Sequence, residues 1–495
     1  MDWKISKKKG EELELKNNTK NKVISGLFWR YGEKLGAQGV QFILTIILAR
    51  LLSPADYGMI ALITVFIDVC TVFIESGFGS ALIQKKDADD LDFSTVFYFN
   101  IAMAMLLICI LYILSPYIAE FYKEEKLTNV LRVLSINLLI GGLNNVQYSY
   151  VSKLMQFKKF FFATLIGTII SAMAGIVMAY NGCGVWSLVA QRMINQAIDT
   201  IFLWFTVKWR PIFKFSIARF KKLYNFAWKL LCSNLIIKIY TNMYNLIIGK
   251  VYTSQDLGYY NRGQNIPSFA INNINSSLDS VLYPALSECQ ENKIRVKEIM
   301  RRSVSVSTFL IFPMMAGLTA VAKPLTLLLL TEKWLPSVPF MQFCCITYAL
   351  LPIQTANLQA INALGRSDIY LKLEIAKKII GIVLLFVSIR FGIYAMMIAR
   401  CVDSFIAFIL NAYPNKKLLS YGFKEQIKDI VPALIISLIM GIIVYCVLFF
   451  KFNIILTIII QVFVGVSSYI LMAKIFKLNT LEYIFNIIKE TRLKN

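Results

Sequence analysis

The chain has 495 residues, 57% of them hydrophobic and only 16% charged, a balance far more apolar than that of soluble domains. It contains no histidine, which removes the commonest zinc ligand, the usual general base and the usual proton relay together. The formal charge of +23 does not point to nucleic acid, because the basic residues sit in short segments between apolar runs, where they face anionic lipid headgroups.

Residues 1–23 form a basic, polar segment without the apolar core and small-residue cleavage site of a signal peptide, so the first membrane anchor is expected to be retained. Apolar runs of about twenty residues then recur, each long enough to cross a hydrocarbon core about 30 Å thick. Six fall at 24–50, 58–83, 93–114, 127–150, 161–180 and 185–206, forming a first lobe at 24–213. Six more at 222–249, 258–284, 303–322, 338–362, 370–390 and 393–413 form a second lobe at 214–428. Runs at 430–450 and 454–473 occupy the segment 429–473, and 474–495 is a polar C-terminal tail. The expected fold is an all-α membrane protein of about fourteen transmembrane helices, with two pseudo-symmetric six-helix lobes plus two C-terminal helices.

An even number of spans puts both termini on one side. The loops of that side are basic, as in Lys208, Arg210, Lys214, Arg219, Lys221 and Lys222, while the opposite connections are short and poor in charge. The positive-inside rule makes the termini cytoplasmic. The nine cysteines lie mostly within apolar runs, show no CxxC spacing and read as small buried residues. No metal site and no organic cofactor are expected. No GxxxxGK[ST] loop is present, so the energy for any transport must come from elsewhere.

The two lobes look duplicated. ILARLLSPADYG at 47–58 aligns without gaps on IIGKVYTSQDLG at 247–258, pairing Arg50 with Lys250 and Asp56 with Asp256. Further on, GVWSL at 184–188 aligns with GIYAM at 392–396, and the same offset superposes Arg192 on Arg400. Six spans per lobe return the chain to its starting side, so the repeat is parallel and its axis runs along the membrane normal. Ser53 before Pro54 reads as a helix cap. Arg50 and Lys250, at span ends, read as interfacial anchors.

Polar residues recur at helical spacing inside apolar runs. Arg30, Lys34, Gln38, Gln41 and Thr45 share one face of the first span, and Asn234, Lys238, Asn242 and Asn245 one face of the seventh. Thr64, Asp68, Thr71 and Glu75 stripe the second span; Asn261, Asn265, Ser268, Asn272, Asn275 and Asp279 stripe the eighth. Charges at bilayer depth cost about 3 kcal/mol each on insertion scales, so these faces are expected to line water or to pair with one another. Arg30, Lys34, Lys229, Lys238 and Arg262 outnumber the acids of their own helices, which suits an anionic ligand such as a phosphate. Asp68, Glu75 and Asp279 are candidates for coupling to protons or sodium. A plainer reading makes the charges packing devices, with Glu33 neutralising Arg30 or Lys34, and with Arg192–Asp199 and Arg400–Asp403 as lobe-symmetric pairs.

LARLLSPADYGMIAL at 48–62, LGYYNRGQNIPSFAINN at 257–273 and LQAINALGRSD at 358–368 resemble the polysaccharide exporters, specifically the Wzx-type flippases of the multidrug, oligosaccharidyl-lipid and polysaccharide exporter superfamily. The resemblance covers nearly the whole chain. It implies two six-helix lobes around a central cavity, in a bacterial cytoplasmic (inner) membrane. Its function would be to turn an undecaprenyl-pyrophosphate-linked oligosaccharide from the cytoplasmic to the periplasmic leaflet by alternating access, for O-antigen, capsule or exopolysaccharide. Arg30, Lys34, Lys238 and Arg262 would then meet the pyrophosphate, and the last two helices the polyprenyl tail. Polymerase and glycosyltransferases of the same pathway would be partners. Three alternatives stay open: a cation-coupled multidrug extruder, which the basic stripes disfavour; a membrane-embedded glycan polymerase or glycosyltransferase, for which the acidic loop Asp87, Asp89, Asp90 and Asp92 is the sole donor-binding candidate; and a non-transporting assembly scaffold, which would tolerate neutralised stripes.

Overall fold

A computed structural model describes residues 29, 32, 36–75, 77–450, 452–478, 480–483, 486 and 489. The expected segment 1–23 and the end of the tail lie outside them. Two compact units partition the chain, 1–258 and 259–495. The first contains α1 (Gly36–Leu51), α2 (Pro54–Glu75), α3 (Phe78–Gln84), α4 (Asp90–Tyr122), α5 (Lys126–Lys153), α6 (Lys158–Tyr180), α7 (Val185–Thr206) and α8 (Ile217–Val251). Helix α9 (Ser254–Glu288) leads into the second, which holds α10 (Lys293–Leu329), a 3-10 turn (Glu332–Ser337), α11 (Val338–Ala349), α12 (Leu351–Ala363), α13 (Ser367–Ser388), α14 (Ile393–Leu419), α15 (Phe423–Cys446) and α16 (Ile454–Ile475). No strand occurs among the described residues.

Nine segments among the described residues are long and apolar enough to cross a membrane: α2 with α3, α4, α5, α6, α10, the stretch Glu332–Ala363, α14, α15 with its extension to Phe450, and α16. Helix α1 is a shorter apolar helix. Helices α7, α8, α9 and α13 have 22, 35, 35 and 22 residues, long enough to span, and it is their polar stripes and charges that lower their hydropathy. The outward faces are those of a protein in hydrocarbon: along α16, Ile455, Ile459, Val462, Phe463, Val466 and Ile470 are all exposed. The chain is an all-helical, multi-pass membrane protein.

Two expected spans are interrupted. The run 58–83 breaks after α2, and Gly77, with φ 92°, turns the chain into α3. This left-handed conformation favours glycine, which has no Cβ to clash. The run 338–362 divides at Leu350 into α11 and α12, where Pro352 at the start of α12 has no N–H to continue the helix from α11.

The repeat is visible atom by atom. Ser53 N and Oγ donate to Asp56 Oδ2 (3.1 and 2.6 Å), and Asp56 N donates back to Ser53 Oγ (3.2 Å). In the second copy Thr253 N and Oγ1 donate to Asp256 Oδ2 (3.2 and 2.7 Å), and Asp256 N donates to Thr253 Oγ1 (3.1 Å). Each is a reciprocal cap that satisfies backbone groups at a helix start. The aligned glycines are spatial neighbours: a Cβ on Gly58 would lie 1.6 Å from the Ser254 carbonyl oxygen, and one on Gly258 would lie 2.0 Å from that of Pro54. The starts of α2 and α9 therefore cross backbone on backbone, which only glycine permits.

Within the first unit, Phe78, Phe93, Phe97, Phe160, Trp209 and Leu223 form a core joining α3, α4 and α6 to the start of α8. The sequence assigns α8 to the second lobe; in space it packs on α2, α3 and α4. In the second unit, Met300, Phe312, Ile353, Phe408, Tyr421 and Ile430 join α10, α12, α14 and α15. The last two helices attach to this unit. Tyr469 Oη on α16 donates to the Phe309 carbonyl of α10 (2.8 Å), and Gln461 Nε2 donates to the Val444 carbonyl of α15 (3.1 Å).

Candidate functional site

The polar stripes of α2 and α8 face each other. Lys238 Nζ lies 3.1 Å from Asp68 Oδ2, with both side chains partly accessible. From α7, the Arg192 guanidinium donates to the Thr64 hydroxyl, one turn before Asp68 on α2. Glu75 stands two turns beyond Asp68 on the same helix. Thr64 and Thr71 return their own hydroxyls to the Ile60 and Ile67 carbonyls (2.5 and 2.8 Å), which keeps the stripe within the helix backbone. On α8, Asn242 Nδ2 donates to the Lys238 carbonyl (3.1 Å) and Asn245 Nδ2 to Asn242 Oδ1 (3.4 Å). The result is a cluster of two acids and two bases on three helices, with Lys238 and Asp68 joined as an ion pair and Arg192 bonded to the same stripe.

This balance changes what Lys238 offers. Asp68 neutralises it, so the cation excess inferred for an anionic ligand rests on Lys229, which is exposed, and on Arg30 and Lys34, which with Glu33 lie outside the described residues. Gln41 is exposed and accepts a long hydrogen bond from Gln191 Nε2 (3.5 Å), while Gln38 is partly buried.

The stripe of α9 divides by depth. Asn265 and Asn272 are exposed; Asn234 on α8 is exposed as well, and Asn261 and Asn275 are partly buried. Asp279 accepts from Gln359 Nε2 of α12 at 2.9 Å. Arg262 is only 5% exposed and its guanidinium lies 5.4 Å above the Trp334 ring, a cation-π arrangement.

The members of the two expected lobe-symmetric pairs find partners on neighbouring helices. Arg192 and Asp199 lie seven residues apart, roughly 10 Å along a helix axis. Arg192 turns to Thr64, and Asp199 accepts from Asn144 Nδ2 (2.9 Å) and Tyr148 Oη (3.2 Å) of α5. Arg400 donates to Tyr260 Oη (2.5 Å) and has the Tyr260 and Tyr348 rings 5.8 Å from its centre. The repeat nonetheless persists: the aligned arginines of α7 and α14 reach α2 and α9, one finding a threonine and the other a tyrosine. Tyr260, Tyr348 and Trp334 were not among the residues picked from sequence. The adjacent Tyr259 and Tyr260 in LGYYNRGQ were the available signal.

The motif LQAINALGRSD closes α12. Gly365 adopts φ 72°, Arg366 N donates to the Ile361 carbonyl (3.1 Å), and Arg366 grips Asp368 through two 2.9 Å bonds. That guanidinium holds the Asp368 carboxyl at about 2. Its lowered value stabilises the turn above the ordinary carboxylate range and is lost only as pH falls toward 2. At Lys250, Nζ donates to the Phe121 carbonyl (2.6 Å) and sits 3.7 Å over the Phe121 ring, a span-end contact. Among the described residues no group of histidine, cysteine, aspartate or glutamate is arranged to hold a metal ion.

A match to the family described as "Polysaccharide biosynthesis protein" covers residues 47–339. The chain belongs to this family. The matched stretch of this polysaccharide biosynthesis protein includes both copies of the glycine crossing and the whole charged cluster of α2, α7 and α8. The chain is 26% identical over 381 residues to the teichuronic acid biosynthesis protein TuaB of Bacillus subtilis, covering 76% of this chain and 78% of that one. It is 22% identical over 447 residues to the lipopolysaccharide biosynthesis protein WzxC of Escherichia coli, covering 86% and 88%. Among solved structures, the lipid II flippase MurJ in an inward closed conformation superposes with a TM-score of 0.72 at 15% identity, covering 91% of this chain and 98% of that one. The last likeness establishes that the chain shares that fold.

Proposed function

We propose that this polysaccharide biosynthesis protein is a flippase that carries an undecaprenyl-pyrophosphate-linked oligosaccharide from the cytoplasmic to the outer leaflet of a bacterial cytoplasmic membrane by alternating access, supplying a surface polysaccharide. The reading rests chiefly on family membership, together with relatives named for teichuronic acid and lipopolysaccharide biosynthesis. The charged stripe supports transport over catalysis: Lys238–Asp68, with Arg192 and Glu75 nearby, holds ionisable groups at membrane depth, where they mark ion and substrate paths. The asymmetric distribution of Lys and Arg supports cytoplasmic termini on this reading.

In this proposal Asp68 is the coupling carboxylate. Proton or sodium binding to Asp68 releases Lys238, which then presents its ammonium to the pyrophosphate; loss of the ion restores the pair and frees the substrate. Polymerase and glycosyltransferases of the same pathway are its functional partners, and the exposed amides of α9 face the sugar. The test is the leaflet distribution of lipid-linked glycan in cells depleted of the protein, read with a membrane-impermeant reagent on spheroplasts. Glycan trapped facing the cytoplasm, rescued by wild type and not by Asp68→Asn at equal protein level, is the expected result. Normal arrival at the outer face in depleted cells would sink the reading and make efflux of a small molecule the next activity to assay.

A further inference from the structure

A second cationic feature lies away from the stripes, in the second unit. A cavity of about 590 Å³ is lined by Arg301, Arg302, Ser305 and Phe309 of α10, by Lys428, Asp429 and Pro432 of α15, and by Leu478, Thr480 and Tyr483 after α16. Its depth follows from the hydropathy pattern. Arg301 and Arg302 immediately precede the apolar run of α10, Lys428 precedes that of α15, and Leu478 follows that of α16. All three helices thus bring polar ends to one level, where hydrocarbon gives way to headgroups. The walls match that level, with charged and hydroxyl groups on one side and Phe309, Pro432 and Leu478 on the other.

The charges are not equivalent. Arg301 is gripped by Asp429 through bonds of 2.7 and 2.6 Å, and Asp429 is fixed further by Tyr421 Oη at 2.8 Å. Arg302 lies 5.5 Å from the Tyr483 ring centre, which leaves its N–H edge available, and exposed Lys428 has no ion partner among the described residues. Among the described residues, two cations therefore line the cavity without an ion partner, side by side with apolar surface. A free inorganic anion would use the charges and leave the apolar wall wet; a zwitterionic lipid would bring its own ammonium against them. We propose that this cavity binds the phosphodiester headgroup of an anionic phospholipid, with Arg302 and Lys428 on the phosphate and the acyl chains leaving along the face of α10 and α15.

The experiment is native mass spectrometry of the full-length protein in detergent, titrated with phosphatidylglycerol or phosphatidylethanolamine. Wild type is expected to retain phosphatidylglycerol at least fivefold better than phosphatidylethanolamine, and Arg302→Ala/Lys428→Ala to lose that preference. The charge-preserving Arg302→Lys/Lys428→Arg variant, compared at matched thermal stability, is expected to keep it. Equal retention of both lipids by wild type, or an unchanged preference in the folded alanine variant, overturns the assignment. So does loss of the preference in the charge-preserving variant. Displacement of phosphatidylglycerol by millimolar inorganic phosphate assigns the cavity to a soluble anion, and displacement by equimolar undecaprenyl diphosphate assigns it to the transported lipid; either result also overturns the proposal.

Discussion

The two units share a plan and differ in chemistry. The two copies of the repeat each begin a helix with the same reciprocal cap, Ser53–Asp56 and Thr253–Asp256. Both send an aligned arginine from the penultimate or last helix of the repeat toward that capped helix, Arg192 to Thr64 and Arg400 to Tyr260. Around Arg192 the neighbours are ionic, with Asp68 and Lys238 paired at 3.1 Å. Around Arg400 they include aromatic and amide groups: Tyr260, Tyr348 and Gln264, whose Nε2 donates to Tyr348 Oη at 2.8 Å. The duplicated skeleton is therefore held by local caps and close backbone approach, while the side chains around the aligned arginines have diverged, to an ion pair beside Arg192 and to tyrosines beside Arg400. With Asp68 as the coupling carboxylate, as proposed above, ion coupling rests on the first unit.

The largest effect is expected where the comparison is most nearly exact. Gly58→Ala places a methyl group 1.6 Å from a backbone oxygen, and Gly258→Ala places one at 2.0 Å. Since neither obstacle is a flexible side chain, each substitution should cost about 3 kcal/mol or more and separate the helix starts. Thermal unfolding of the purified variants should show two similarly large losses, whereas Gly317→Ala, which meets nothing within 4 Å, should change little. A large loss for one of the pair and none for the other would break the symmetry of the crossing.

The next effect distinguishes the units. Lys238→Ala leaves Asp68 without its partner and should lower glycan export more than tenfold at normal protein level. Lys238→Ala/Asp68→Asn restores charge balance and should recover the protein's stability but not its export. Full recovery of export by the double variant would reduce the pair to a packing device. In the second unit, Arg400→Gln removes a guanidinium seated between two aromatic rings, and a loss of about 1–2 kcal/mol of stability is expected, with export changed no more than stability explains. Export falling as steeply as in Lys238→Ala would put charge-dependent chemistry in both units.

How much of this was legible in the sequence differs by level. The cap at Ser53 follows from residues three apart, and the repeat from aligned letters, because both are local and survive without knowledge of packing. The break at Pro352 was legible too, but the length of the apolar run obscured it. Partners across helices were not legible. Lys238 and Asp68 are separated by 170 residues, and only the packing of α8 on α2 brings them together. Intrahelical spacing suggested Asp199 for Arg192, yet a long side chain at bilayer depth takes whichever neighbour best completes its hydrogen bonds. The burial of Arg262 against Trp334 was hidden for the same reason.

The smallest predicted effect returns to the repeat. The helix that closes at Gly365 with φ 72° has a counterpart in α5, which closes at Met155 with φ 55°. The bonds are the same: Arg366 N to the Ile361 carbonyl at 3.1 Å, and Gln156 N to the Val151 carbonyl at 3.0 Å. A left-handed conformation costs a residue with a Cβ about 1–2 kcal/mol, and glycine avoids most of it. Met155→Gly should therefore stabilise the first unit, by about 1 kcal/mol less the packing that the methionine side chain contributes, and Gly365→Met should destabilise the second by a similar amount. Because Met155 is largely exposed, little packing is at stake. A rise in the unfolding temperature of Met155→Gly with unchanged export would show that the two turns are one structural device with different residues installed, and a fall would mean that the methionine makes contacts in the bilayer that its exposure in isolation conceals.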